Sequence, residues 1–116
     1  MQIQDEVGQC EGMATNRLEI LKQMVKDDPN NTFARYGLAM ECASTGDATA
    51  AIKQYSTLLQ AHPDYVPAYL MYGQLLAREA RVDEAKTVLA AGISAASKKG
   101  DSHAASEMEA LLADLS

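Results

Sequence analysis

The chain contains no tryptophan and one phenylalanine, so its 5% aromatic content is nearly all tyrosine. Any core must therefore be built from Leu, Met, Ala and a few Tyr, a palette that favours helices over strands. Two cysteines, Cys10 and Cys42, are far too few for a disulfide scaffold and lack the spacing of a metal site. A reducing compartment is the simpler expectation. No stretch approaches the roughly 18 apolar residues of a membrane span, and the opening Met1-Gln2-Ile3-Gln4-Asp5-Glu6 has neither the basic nor the apolar region of a signal peptide. The sequence reads as cytoplasmic, with no membrane contact. The ten Lys and Arg are dispersed and outnumbered by 16 acidic residues, which argues against nucleic acid.

At 116 residues the chain is long enough for one domain with a modest core. Its net charge of −6 is uneven: Asp5, Glu6 and Glu11 crowd residues 1–14, and Asp101, Glu107, Glu109 and Asp114 crowd the last 16, leaving the middle near neutral. Apolar residues at helical spacing (Leu18, Leu21, Met24, Val25) mark a helix from Thr15 to about Lys26, with Asn16 and Glu19 as a cap pair, and Asp27-Asp28-Pro29-Asn30-Asn31 ends it. Further helices are expected over about 32–44, 48–61, 66–79, 82–97 and 101–115. Gly46 closes the second and Asp47 caps the third. No segment alternates as a strand does.

Two helix-terminating prolines, Pro29 and Pro63, lie 34 residues apart, and Gly46-Asp47 recurs at the same interval as Ala80-Arg81. A helix pair of that length cannot bury its apolar face alone, so the units must stack into a curved ribbon. On the 34-residue period Arg35 meets Tyr69, Leu38 meets Tyr72, Ala39 meets Gly73, Cys42 meets Leu76, Ala51 meets Ala85 and Tyr55 meets Leu89. The small residues let two helices approach while the larger ones fill the space between them. This pattern resembles the tetratricopeptide repeat, whose leading aromatic is replaced here by Arg35 in one unit and whose closing proline is replaced by Ser97 in the other. The departures predict a weakly sculpted unit and a changed exit into the last helix. The resemblance implies an all-α, right-handed α-solenoid of about six helices: a half repeat at 15–31, repeats at 32–65 and 66–99, and a capping helix at 101–115, with residues 1–14 as a flexible or loosely docked tail.

The same resemblance implies a non-catalytic protein-interaction module whose concave groove is lined by the first helix of each pair. The matching residues are Phe33, Tyr36, Met40 and Ser44 in one unit, and Pro67, Leu70, Gln74 and Arg78 in the next. Tyr36 and Met40 offer deformable, amphipathic contact area for a protein or peptide partner; the competing reading is that they only pack on the neighbouring helix. One branch of the family grips a C-terminal carboxylate with Lys, Arg and Asn, but the matching positions are Tyr36, Met40, Pro67 and Met71, so that clamp is not expected.

On the first helix Leu18, Ile20, Leu21 and Met24 with Val25 span an apolar arc of roughly 160°, more than one neighbour covers. Either Ile3, Val7 and Cys10 of the tail cover it, or it is a self-association surface that makes a homodimer, for which the last helix is the other candidate. Cys42 reads as a buried inert thiol, and His62 and His103 as solvent-facing residues without metal or triad companions. No paired acid and base, nucleophile or phosphate loop points to catalysis or to a cofactor.

Overall fold

In the computed structural model, which describes residues 17–116, three helices begin at a side chain that takes up a free amide. Residues 17–27 belong to the first helix, α1. The others are α2 (Thr32–Ser44), α3 (Ala48–Ala61), α4 (Val66–Arg78), α5 (Val82–Lys99) and α6 (Ser102–Leu115). Asn31, Asp47 and Asp101 cap α2, α3 and α6, their side chains accepting the amides of Ala34, Ala50 and Ala104 at 3.0, 3.1 and 3.1 Å. The expected tail at residues 1–14, its Ile3, Val7 and Cys10, and the Asn16 cap lie outside the described residues.

Three helices close in the same way. The amides of Asp47, Arg81 and Asp101 donate to the carbonyls of Cys42, Leu76 and Ala96 at 2.9, 2.8 and 2.8 Å, bonds that require a left-handed residue just before the donor. Gly46 and Gly100 supply it at φ 90° and 74°; in α4 the task falls to Ala80 at φ 62°, where a Cβ is unfavourable.

α2 packs on α3, α4 on α5 and α5 on α6, while α4 also touches α2, α3 and α6. The result is a ribbon of helical hairpins, 54 × 30 × 22 Å, with two adjoining cores. Leu38, Ala39, Cys42, Ala51, Tyr55, Leu58, Ala68 and Leu75 form the first, and Val66, Tyr69, Leu89, Ala96, Ala105 and Met108 form the second. Leu59 packs against both and joins them.

The small residues mark the tightest crossings. A Cβ on Gly73 would stand 2.6 Å from Leu89 Cδ2, and one on Gly92 would stand 2.5 Å from both Tyr69 Cβ and Met108 Sδ. Gly92 thus sets the approach of α5 to α4 and α6 together, a role the period alone does not reveal. Arg35, at the position of the missing aromatic, does not leave its unit loose: it donates to Gln54 Oε1 at 2.8 Å and to the Pro29 carbonyl at 3.4 Å. Tyr69, its counterpart, donates to the Pro63 carbonyl at 2.6 Å, so both residues tie a helix to the turn before it.

The changed exit comes from the length of α5. Without a closing proline it runs for 18 residues against 14 in α3. The cap of α6 therefore falls 36 residues after Tyr65, whereas Asn31 and Tyr65 are 34 apart.

Gly92→Ala is expected to lower unfolding free energy by about 1–3 kcal/mol, because Tyr69 Cβ is fixed to the α4 backbone and cannot swing aside. Ala80→Gly is expected to raise it by about 0.5–1 kcal/mol by relieving the left-handed strain. Urea denaturation of the two variants checks both signs.

Candidate binding cleft

The crossing of α2 and α4 leaves their C-terminal halves apart. The gap is a cleft of about 540 Å³, walled by Met40, Ala43 and Ser44 of α2, by Gly46 and Ala48 at the start of α3, and by Met71, Gln74, Leu75 and Arg78 of α4 with Glu79 beyond. Tyr55 of α3 lies at the base. Its ring stacks on Tyr72 at a centroid distance of 5.5 Å and meets Tyr36 edge-on at 6.4 Å; Tyr36 in turn meets Tyr65 edge-on at 5.4 Å. Such pairs add directional packing to plain burial.

Four of the eight residues expected to line a groove, Met40, Ser44, Gln74 and Arg78, line this cleft together. Met40 is a large apolar side chain left 39% exposed. The other four lie elsewhere. Tyr36 is half-buried in the tyrosine cluster, and Leu70 packs against the second core, to which α6 contributes Ala105 and Met108. Phe33 is 75% exposed and, like Pro67, lies outside the cleft wall. Tyr55, Met71 and Glu79 were not among the expected groove residues; Tyr55 reads from its spacing only as core, which it also is.

Charge at the rim is simple. Arg78 has no carboxylate within ion-pair distance among the described residues, and Glu79 stands beside it. Burial pushes the phenol of Tyr55 well above its ordinary value, reinforced by Tyr36 and partly offset by the positive charge of Arg78. Burial likewise raises Tyr36, Tyr69 and Tyr72. Cys42 is buried and its thiol is pushed up by that burial, so it is a poor nucleophile. His103 is exposed and lies 3.3 Å from Glu107, whereas His62 is half-buried at the end of α3 rather than solvent-facing. Among the described residues no group of His, Cys, Asp or Glu is arranged to hold a metal, and no helix is long and apolar enough to cross a membrane. The cleft offers adaptable apolar area, an amide, a cation and a carboxylate.

The apolar arc of α1 divides in two. Leu18, Leu21 and Val25 pack on the first core, with Leu21 Cδ2 only 3.2 Å from where a Cβ on Gly37 would stand. Ile20 and Met24 remain 59% and 38% exposed.

A stack of helical hairpins with small residues at its crossings defines a class of α-solenoid, and similarity to known proteins gives the family. Residues 43–115 match the family model described as tetratricopeptide repeat. The chain belongs to that family. It is similar to a tetratricopeptide repeat domain protein from Salinibacter ruber, solved in solution, at 33% identity and a TM-score of 0.72, over 76% of this chain and 89% of that one. The same fold appears in the TPR2B domain of yeast Sti1, solved as a complex with pHsp70, at 16% identity and a TM-score of 0.81, over 98% and 91% of the two chains. It appears again in PcrH, solved with the chaperone-binding region of PopD, at 15% identity and a TM-score of 0.79, over 97% and 92%. No curated protein matches the chain.

The raised phenols set the expected alkaline behaviour. Tyr36, Tyr55, Tyr69 and Tyr72 hold their protons more tightly folded than unfolded, so the folded state binds more protons above the free phenol value and stability must fall there as pH rises. Thermal melts should be insensitive to these groups up to about pH 9 and should drop above about pH 10. A flat profile through that range would contradict the burial of the cluster.

Proposed function

We propose that this protein is a non-catalytic interaction module that holds a segment of a partner protein in the cleft between α2 and α4. The observation that carries the reading is Met40, a large flexible apolar side chain left exposed over a cleft of about 540 Å³ with Gln74 and Arg78 on the facing wall. Methionines line surfaces that accept varied apolar side chains, because an unbranched thioether adapts at little cost. An extended or helical peptide places an apolar residue between Met40 and Met71, bonds Gln74 and turns a carboxylate toward Arg78. Two solved proteins of the same fold are complexes with polypeptides, yeast Sti1 with pHsp70 and PcrH with a region of PopD, which supports the ligand class and says nothing of its sequence. The carboxylate-gripping arrangement is not part of the reading, because Tyr36, Met40, Pro67 and Met71 stand at its positions. A cytoplasmic setting, and partners that are neither nucleic acid nor membrane, complete the proposal.

A displayed library of random peptides, panned against the intact chain, supplies the probe. The double variant Met40→Glu with Arg78→Glu should lose at least about tenfold in affinity for the selected peptides and keep its melting temperature, since neither side chain is part of the buried core. Undiminished binding by the folded variant would overturn the cleft as the site.

A further inference from the structure

All the large apolar side chains that remain exposed among the described residues, Ile20, Met24, Phe33 and Met40, belong to α1 and α2. The repeat explains why α1 stands out. On the 34-residue period Met24 corresponds to Leu58 of α3 and Gly92 of α5. Leu58 is 1% exposed and Gly92 lies buried against Tyr69 and Met108, whereas Met24 is open. The α1 position therefore has the form of a helix seat that the described residues leave without its helix.

The pattern that fills such a seat elsewhere is absent from the segment preceding α1. The positions that hold Leu38 and Ala39 in α2, or Tyr72 and Gly73 in α4, fall on Gln4 and Asp5. An amide and a carboxylate at the tightest part of a helix crossing are costly to bury. In α1, moreover, the residue matching Ala51 and Ala85 is Arg17, which reaches Glu41 at 3.3 Å and stays largely exposed. A repeat-type helix has no small residue to approach there.

Another α1 does fit. Arg17, Ile20, Met24 and Asp27 lie within roughly 80° of one another around the helix, and all four are exposed. Laid antiparallel on a second copy about a twofold axis, this stripe is complementary to itself. Ile20 meets Met24 of the partner subunit, Arg17 meets Asp27 of the partner subunit, and both pairs occur twice. Like charges never face each other in this register. We propose that α1 is a homodimerisation surface, in which two copies pair their α1 helices antiparallel through Ile20 and Met24, with the two Arg17–Asp27 pairs fixing the register. The interface is one short helix pair, well below the roughly 1,200 Å² of a stable complex, so the dimer is weak and forms at high concentration. It leaves the α2–α4 cleft wall free and does not depend on the cleft's proposed role.

Sedimentation velocity on the intact chain, in a dilution series reaching the millimolar range, should show a monomer–dimer equilibrium. Ile20→Lys should weaken it at least about tenfold. Arg17→Asp alone should weaken it about three- to tenfold, and adding Asp27→Arg should restore it, since the swapped pair regains attraction. Recovery in the double variant cannot come from a merely structural role of Arg17, because the Glu41 contact stays broken. A monomer throughout the series would overturn the proposal, as would a dimer indifferent to Ile20→Lys. It would also be overturned by removal of residues 1–14 shifting the amide signals of Ile20 and Met24 in a monomer, which would assign the seat to the chain's own segment.

Discussion

Close approach of helices at residues with little or no side chain is the constraint that shapes the whole ribbon. Ala39, Ala51, Gly73, Ala85 and Gly92 are buried, and at Gly73 and Gly92 even one added carbon meets atoms less than 3 Å away. Where helices approach this closely, neighbouring side chains must divide the remaining volume. Leu89 lies across Gly73, and Tyr69 and Met108 close over Gly92. Packing of that kind fixes the crossing of each hairpin and hence the angle between successive units. The α2–α4 cleft lies between the C-terminal halves of two first helices that touch each other and are joined through α3.

The punctuation of the helices was legible in the sequence because it is local. Asp47 caps α3, and a left-handed closure needs only one residue, so Gly46 marks it directly; Gly100 and Asp101 form the same pair before α6. Ala80 shows the limit of that reading. Its alignment with Gly46 identified the turn, and tertiary packing forces the alanine into the glycine's conformation. Arg35 shows another: the loss of an aromatic looked like a loosened unit, but the guanidinium makes the turn-tying bond that the Tyr69 hydroxyl makes one repeat later.

The cleft was only half legible. Period places Met40, Ser44, Gln74 and Arg78 on one side of the first helices, and the structure brings these four together. It does not say how far the second helix reaches between them, so Tyr55 at the base was invisible as a lining residue. The missing proline at Ser97 foretells a changed exit from α5, but not that α6 joins the core against which Leu70 packs. The errors arise where a contact depends on three elements at once, and the successes where it depends on one or two.

Met40 and Met71 face the cleft while Met108 is sealed in the second core, so the ligand's place can be read from methionine methyl groups in one spectrum. Titrating a library-selected peptide into methyl-labelled protein should move the Met40 and Met71 signals together and leave Met108 unmoved. A peptide that binds while Met40 and Met71 stay unmoved would contradict the α2–α4 cleft as the place where a partner is held.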